Sequence, residues 1–451
     1  MMSIFLQRSI PELIEDIRGG RLSYGDLAET TARVVAEHES ATLAWVDFDS
    51  ASLKAESQRA ARAREVRGYS LDLDGMPFGV KDVFNTIAFP TQMGSALWKG
   101  FTPGNNARVV DSLILGGAVP AGKTVTAEFA VHALNETLNP HDASRTPGTS
   151  SSGSAAAVAV GMVPFALGTQ TAGSIVRPAS FCGVWGMKPS FGLTPRTGVL
   201  KTNDSLDTIG FVAAHARSLR PILDHMRVKG PDYPFVYRGV DQRGPYPHKK
   251  HSPWKIGVVK THTWNCADSD VKMAVTELAD RIAGLGGCEV AEMAWPAELE
   301  RSHEIHSTIY TKSLAYYFQQ EAKSSSDLSP IMNAMIEAGR VISPKQFRQA
   351  LRDQESVARQ LDQELAGFDL VLSVGTSTDA PPRGQDEEPD PSLIWTLCHV
   401  PAVAVPAFRS RNGLPFGVQF IARRWNDYLL LQGIESLVER GVVPAGSQPI
   451  R

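Results

Sequence analysis

Residues 147–178 read PGTSSSGSAAAVAVGMVPFALGTQTAGSIVRP, which is two loops of glycine, serine and threonine joined by a run of small apolar residues. Glycine allows main-chain dihedral angles and a closeness of approach that other residues do not. Successive N–H groups in such a loop can form a concave site for an anion. The apolar run argues against a flexible linker. The stretch therefore predicts a rigid loop that serves either as an oxyanion hole or as a phosphate cradle.

The sequence on either side of this stretch alternates between strands and helices. Short apolar strands alternate with helices along Met76–Val80, Ala107–Leu115 and Ala118–Ala121. With glycine and small residues between the elements, this pattern is typical of an α/β sheet that carries helices on its faces. Residues 254–372 return to the pattern and then become strongly helical. Near the C-terminus we expect two apolar strands and a last helix, around Pro401–Val405, Gly417–Ile421 and Tyr428–Val438.

Two helix boundaries can be predicted from local signals. Ile10, Leu13, Ile14 and Ile17 fall at helical spacing, and Gly19-Gly20 ends that helix. The run Ser343-Pro344-Lys345-Gln346 offers a capping serine, proline at the first helical position and glutamine at the third.

Two segments are predicted to be surface loops, residues 228–253 and residues 374–393. The second contains an acidic run from Asp386 to Asp390, which we expect to be solvated. No clear linker and no internal repeat divides the chain. We therefore expect a single large domain over residues 1–451.

The composition argues against several classes of protein. The 451 residues are 43% hydrophobic and 21% charged, and a formal net charge of -3 favours neither nucleic acid nor an anionic membrane as a partner. The most apolar run, Ala155–Leu167, is too short to span a bilayer. Four dispersed cysteines without a C-x-x-C pair fit a reducing compartment better than a disulfide framework. The N-terminus shows no signal-peptide pattern, so we expect a cytoplasmic protein.

The sequence also narrows the chemistry that such loops could support. The G-x-S-x-G nucleophile elbow is absent from both loops. Gly122-Lys123-Thr124 lacks the context of a phosphate-binding loop, because Pro120 lies inside the motif. His303 and His306 have no third ligand, so we interpret them as ordinary polar residues of a helix rather than as zinc ligands. No histidine has an obvious serine or carboxylate companion, so a serine nucleophile would need another base, such as a neutral lysine.

The loops and their neighbours resemble the amidase signature family of amide hydrolases. Residues 168–178 are similar to the family pattern G-T-D-x-G-G-S-I-R-x-P, and residues 181–189 to F-C-G-x-x-G-x-K-P. Further similar segments are Gly75–Asp82, Gly117–Ala130, Ser205–Gly210, Pro401–Pro406 and Gly413–Gln419. The resemblance covers most of the chain except roughly residues 225–370.

The resemblance implies a fold, a reaction and a set of partners. The fold is a single amidase domain with a central mixed β-sheet covered by helices on both faces, in which a variable helical region at about 225–370 shapes the substrate pocket. The reaction is hydrolysis of a carbon–nitrogen amide bond, to a carboxylate and ammonia or an amine. The expected binding partner is a small-molecule amide substrate. Neither a nucleic acid nor a membrane is expected as a partner, and both a monomer and a homodimer stay open. No metal or organic cofactor is implied.

The resemblance also implies a Ser-Ser-Lys triad. Ser174 stands where the nucleophile stands, Lys81 where the base stands, and Ser150 where the family has a bridging serine preceded by a cis peptide bond. The main-chain N–H groups of the oxyanion hole match Thr171, Ala172, Gly173 and Ser174. Lysine has an ordinary pKa of about 10.4, but burial can lower it by several units. A neutral Lys81 could then accept the proton that Ser150 takes over from Ser174.

Some positions depart from the family pattern. Gln170 stands where many members have aspartate, Ala172 and Thr149 replace glycines, and Arg177 follows Ser174 by three residues rather than two. Ala172 could narrow the oxyanion hole. If Arg177 points into the pocket, it could hold a substrate carboxylate through a bidentate pair, which favours a small acid-bearing amide. The other interpretation of Arg177 is a structural residue that ties loops together.

Three alternatives stay open. The family includes amidotransferase A-type subunits that hydrolyse glutamine and need partner chains. An esterase would use the same nucleophile. A protein of another class, an inactive scaffold or binding protein on the same fold, would be favoured by loss of Lys81 or Ser174, but both residues are present.

Overall fold

All the strands of the computed structural model, which describes residues 2–243, 253–385 and 389–450, form one sheet. In these ranges the strands are β1 (Trp45–Phe48), β2 (Pro77–Lys81), β3 (Val119–Thr124), β4 (Phe165–Gln170), β5 (Trp185–Lys188), β6 (Thr208–Ala213), β7 (Trp254–Val258), β8 (Cys288–Glu292), β9 (Leu370–Val374), β10 (Ala402–Arg409) and β11 (Pro415–Ile421).

The sheet is mixed, with the strand order β1-β3-β2-β4-β6-β5-β10-β11-β9-β7-β8. The strand β2 runs parallel to both β3 and β4, and β7 runs parallel to both β8 and β9. The other neighbours are antiparallel. Because β2 and β4 are parallel neighbours, their carboxyl ends reach the same edge of the sheet.

Helices accompany the strands along the chain. They are α1 (Ile4–Gln7), α2 (Ile10–Arg18), α3 (Tyr24–Thr42), α4 (Ser50–Arg67), α5 (Arg108–Leu115), α6 (Ser152–Ala159), α7 (Val176–Cys182), α8 (Leu219–Met226), α9 (Pro234–Val236), α10 (Ser269–Ala283), α11 (Ser302–Tyr317), α12 (Pro330–Arg340), α13 (Pro344–Leu365), α14 (Leu393–Leu397) and α15 (Asp427–Glu439).

The core has two parts, one on each face of the sheet. Successive residues of a strand point to opposite faces, and in β4 Phe165 and Leu167 pack into one cluster while Ala166 packs into the other. The first cluster holds apolar residues of α2, α8, α10 and α15, and the second those of α6, α11, α12 and α13. The predicted α/β fold, a single domain with a central mixed sheet covered by helices on both faces, is confirmed.

The helix α6 lies very close to β3 and to the segment before β1. A Cβ placed on Gly153 would lie 2.4 Å from Val125 N and from Ala44 O, so this position requires glycine. Gly153 N donates to Val125 O at 3.2 Å. The small residues of the 147–160 stretch therefore allow the helix to hold the serine run against the edge of the sheet.

The predicted helix boundaries agree with the structure. The capping box at α13 is formed, with Gln346 N donating to Ser343 Oγ at 3.3 Å and Ser343 N donating to Gln346 Oε1 at 2.9 Å. The helix α2 ends before Gly19, as its spacing predicts.

The two predicted loops require corrections. Within residues 228–253, α9 and a π-helical turn at Tyr237–Asp241 are present, because Val236 and Val240 pack into the core. Residues 244–252 lie outside the described residues. Asp386, Glu387 and Glu388 of the acidic run also lie outside them. The prediction that the run is solvated is wrong for Asp390, whose side chain is 10% exposed and lies beside Arg177.

Candidate active site

Lys81 is the last residue of β2 and its side chain is fully buried. Its Nζ lies 2.6 Å from Ser150 Oγ, 3.0 Å from Ser151 Oγ and 2.8 Å from Thr169 Oγ1. Thr169 lies near the end of β4, the parallel neighbour of β2. The sheet topology thus brings Lys81, the serine run and the end of β4 together, and both Ser150 and Ser151 contact the lysine.

The surroundings of Lys81 favour its neutral form. Burial holds its pKa well below the ordinary value, and the carboxylate of Asp207 partly opposes that shift. Hydroxyl groups can both donate to and accept from an amine, so all three contacts are compatible with a neutral lysine. A buried neutral lysine can act as a general base.

Two other lysines, Lys123 and Lys188, are also fully buried. Lys123 Nζ lies 3.1 Å from Asp82 Oδ1, and Lys188 Nζ donates to the main-chain oxygens of Val400 and Pro189. Neither arrangement includes a serine hydroxyl. Among the lysines in the described ranges, only Lys81 has the serine contacts that a relay needs.

The serine run is anchored through its main chain. Thr126 Oγ1 donates to Ser150 O at 2.9 Å, and Asn135 Nδ2 donates to Thr149 O at 2.9 Å. The expected cis peptide bond before Ser150 is not observed, since the described residues contain no cis peptide bond. The trans form is the low-energy form of a non-proline bond, and from it Ser150 Oγ already reaches Lys81.

The loop that follows β4 carries Ser174 and is fixed from several sides. Gln170 Oε1 accepts from Ile175 N at 2.8 Å and from Val176 N at 3.0 Å, and Gln170 Nε2 donates to Thr396 Oγ1 at 3.0 Å. Thr396 Oγ1 in turn donates to Ala172 O at 2.6 Å. Gln170 therefore joins the loop to α14, because its neutral side chain both accepts from the loop and donates to Thr396.

The main-chain N–H groups of Thr171, Ala172, Gly173 and Ser174 have no hydrogen-bond acceptor among the described residues. Such N–H groups are available to a developing negative charge. Ser174 is 5% exposed, and within the described ranges no hydrogen bond joins its hydroxyl to Ser150. The structure thus places Lys81 and Ser150 in contact and Ser174 on the adjacent loop.

Arg177 lies on α7, one turn after Ser174, and its side chain is 7% exposed. Its Nη1 lies 3.6 Å from Asp390 Oδ2. The Asp390 carboxylate also packs on Gly173, because a Cβ on that glycine would lie 1.9 Å from Asp390 Oδ2. Arg177 is therefore buried beside the Asp390 carboxylate, next to the loop that carries Ser174.

The helix α11 supplies polar residues that the sequence interpretation missed. His306 Nε2 donates to Thr171 O at 2.8 Å, in the tautomer that this contact requires. Its ring lies 5.6 Å from that of Tyr310, one turn further on. Burial lowers the pKa of His306 to about 4, so the ring is neutral near pH 7. The signal available in the sequence was the spacing of four residues, which puts both rings on one helix face.

A cavity of about 300 Å³ lies beside the start of the loop, at Thr171. Its wall includes Thr169, Thr171 and Asp207, with Arg196 and Lys201 among the other lining residues. The described residues contain no group of three histidine, cysteine, aspartate or glutamate side chains that could hold a metal ion.

Comparison with known proteins identifies the family. The family model described as Amidase matches residues 26–431. The chain belongs to the amidase signature family. The predicted resemblance is thereby confirmed, and the reaction class of the family is hydrolysis or transfer at a carbon–nitrogen bond.

Relatives of this amidase signature protein include the A-type subunit of glutamyl-tRNA(Gln) amidotransferase from Chloroflexus aggregans, 32% identical over 424 residues, covering 83% of this chain and 84% of that protein. The corresponding protein of Anaeromyxobacter sp. is 31% identical, covering 87% of this chain and 88% of that protein.

Solved structures share the fold of this amidase signature protein. One comes from a vestigial protein complex that reveals the evolutionary origins of an s-triazine catabolic enzyme; it has a TM-score of 0.85 at 26% identity and covers 99% of this chain and 100% of its own. A structure described as an amidase has a TM-score of 0.83 at 26% identity and covers 95% and 99%. Within the part of the chain that the structure describes, no helix is long and apolar enough to cross a membrane.

Proposed function

We propose that this chain hydrolyses an amide bond through an acyl-enzyme on Ser174, with Ser150 and Lys81 relaying protons. The observation that carries the proposal is the 2.6 Å contact between the buried Lys81 Nζ and Ser150 Oγ, beside the loop that bears Ser174. The lowered pKa of Lys81 supports its role as the base. The family membership supports the reaction class.

Acylation follows from these positions. Neutral Lys81 accepts a proton from Ser150 while Ser150 accepts one from Ser174, and Ser174 Oγ bonds to the carbonyl carbon. The oxyanion accepts hydrogen bonds from the N–H groups of residues 171–174. When the carbon–nitrogen bond breaks, Ser150 returns a proton to the leaving nitrogen and regains one from Lys81.

Deacylation uses the same groups in the same order. A water molecule gives a proton to the relay and adds its oxygen to the acyl carbon. The bond to Ser174 Oγ then breaks, and the proton returns to that oxygen. The products are a carboxylate and ammonia or an amine, and no cofactor takes part in these steps.

Two substrate classes compete. The relatives named as amidotransferase A-type subunits favour the alternative function, a glutamine-hydrolysing amidotransferase component that needs partner chains, over a free-standing amidase. The free-standing amidase is supported by likeness to a solved structure described as an amidase. Both candidates use the same nucleophile and relay.

Arg177 is the candidate for holding a substrate carboxylate. Its burial beside the nucleophile loop supports the hypothesis of a small acid-bearing amide. Asp390, at 3.6 Å, offsets its charge and would repel a second carboxylate. Arg177→Leu should raise KM chiefly for acid-bearing amides. An equal rise in KM for neutral amides would contradict the hypothesis.

The region at about 225–370 is proposed to shape the pocket, because α11 brings His306 to the loop that carries Ser174, with Tyr310 against the His306 ring. A cytoplasmic location and a homodimer stay predictions. A binding protein on the same fold is the interpretation that remains if no amide is hydrolysed.

The first experiment measures ammonia release from aliphatic, aromatic and acid-bearing amides and from L-glutamine. It compares the parent chain with Ser174→Ala and with Ser50→Ala, an exposed serine far along the chain. Turnover that is lost only in Ser174→Ala supports the proposal. Glutamine hydrolysis that requires added amidotransferase partner chains supports the glutamine-dependent candidate. Equal turnover by Ser174→Ala would exclude Ser174 as the nucleophile.

A further inference from the structure

Asp207 lies beside the nucleophile loop because of the sheet register. It immediately precedes β6, which pairs antiparallel with β4, and Thr208 is opposite Gln170. Residues that flank such a pair at the same end are neighbours in space. The carboxylate of Asp207 consequently meets Thr171, the first residue of the loop after β4.

Four donors converge on this carboxylate. Oδ1 accepts from Thr171 Oγ1 at 2.8 Å and from Thr202 Oγ1 at 2.7 Å. Oδ2 accepts from the main-chain N–H groups of Thr202 and Asn203, each at 2.8 Å. Burial raises the pKa of Asp207, but these hydrogen bonds oppose that shift and favour the ionised form.

Asp207 also shares a cavity wall with Thr169, a residue that contacts Lys81. The 300 Å³ cavity has Asp207, Thr169 and Thr171 in its wall, and Thr169 Oγ1 contacts Lys81 Nζ at 2.8 Å. Arg196 and Lys201 line the same cavity, and Tyr310 interacts electrostatically with Asp207 from α11. Asp207 is thus an acidic group that contacts the proposed oxyanion loop at Thr171 and lies in the same cavity wall as Thr169, which contacts the proposed base.

We propose that Asp207 is a positioning residue for amide hydrolysis, which holds the oxyanion loop through Thr171 and presents a negative charge to the Lys81 side of the site. The proposal rests on the proposed function and adds a residue to it. Its two roles are separable, because the Thr171 hydroxyl can be removed without removing the charge. A base that is too weak cannot accept the serine proton, so a nearby carboxylate keeps the buried lysine sufficiently basic.

The test uses phenylmethanesulfonyl fluoride, a serine-directed reagent, so that it does not depend on knowing the substrate. The rate of Ser174 modification is measured against pH for the parent, Asp207→Asn, Thr171→Val and Asp204→Asn. Asp204 is the matched control, because it lies in the same turn with a side chain that is 67% exposed.

Asp207→Asn is expected to lower the maximal rate by about tenfold to hundredfold and to move the midpoint of the pH profile to lower pH, since burial then acts on Lys81 with less opposition. Thr171→Val should lower the rate with an unchanged midpoint. Asp204→Asn should match the parent in both.

An unchanged midpoint in a folded Asp207→Asn variant would overturn the proposal, because a merely structural residue lowers the rate alone. An equal shift in Asp204→Asn would also overturn it. If Asp207→Asn does not fold, Asp207→Glu keeps the charge but displaces it, and a parental rate in that variant contradicts the positioning role. Modification of Ser174→Ala as fast as the parent is a different failure, that of the proposed nucleophile.

Discussion

Lys123 Nζ lies 3.1 Å from Asp82 Oδ1, and both side chains are fully buried next to Lys81, the proposed base. Lys123 also donates to Phe84 O at 2.7 Å and to Thr91 Oγ1 at 2.8 Å. Burial lowers the pKa of Lys123 to about 8, while Asp82 opposes the shift. The pair therefore joins Asp82, the residue that follows Lys81, to the neighbouring strand β3.

Removing one partner of this pair should be strongly destabilising. Lys123→Met leaves the Asp82 carboxylate buried without its counter-charge, and the free energy of unfolding should fall by about 3–5 kcal/mol. Denaturant titration measures the change. Lys54→Met, in an exposed pair with Glu29, should cost less than about 1 kcal/mol. Equal losses of unfolding free energy in the two variants would mean that the buried pair contributes no more to stability than the exposed pair.

Activity should rise with pH through the lowered pKa of Lys81, because the relay requires the neutral amine. The midpoint should lie well below 10.5, and kcat/KM measured against pH will locate it. Lys81→Arg introduces a side chain that stays protonated and cannot accept a proton, so kcat should fall by about 10²–10⁴-fold. Lys81→Met, which has no amine, should lower kcat to the same extent. An active arginine variant would contradict the role of Lys81 as a base.

Gly173→Ala should impair the site, because its Cβ would collide with Asp390 Oδ2. We expect kcat to fall by about 10²-fold as the loop or Asp390 moves. Adding Asp390→Ala should restore part of the loss, which a double-mutant cycle measures. Gly286→Ala, where a Cβ meets nothing within 4 Å, is the control. Additive losses would show that the two positions do not interact.

The stability of the protein should fall in acid because of His306. Its pKa is about 4 in the folded chain and 6.5 by reference, so the unfolded chain binds the proton at higher pH. The stabilisation is therefore complete above about pH 6.5 and is lost as the pH falls to about 4, by about 3 kcal/mol. His306→Gln, which keeps a donor for Thr171 O, should flatten this dependence in unfolding curves measured across that range. If the stability of the variant and of the parent changed equally with pH, the role assigned to His306 would be contradicted.

Local sequence identifies only part of the site. Lys81, Ser150 and Ser174 lie in motifs, and the parallel pairing of β2 with β4 accounts for their proximity. Asp390 and His306 lie 216 and 132 residues beyond Ser174, so no local pattern could join them to its loop. Asp390 was predicted to be solvated as part of a charged run, and only the tertiary fold buries it against Gly173. In the sequence, His306 has the pattern of an ordinary helix residue, and only the tertiary fold brings it into contact with the loop.

Three lysines can serve as probes of local unfolding, because the side chains of Lys81, Lys123 and Lys188 are fully buried. Amine-acylating reagents react only with lysines that solvent reaches, so these three should stay unmodified while the sheet is intact. Each belongs to a different strand, β2, β3 or β5. Mass spectrometry of the acylated peptides would therefore report which part of the sheet opens first as the protein is heated.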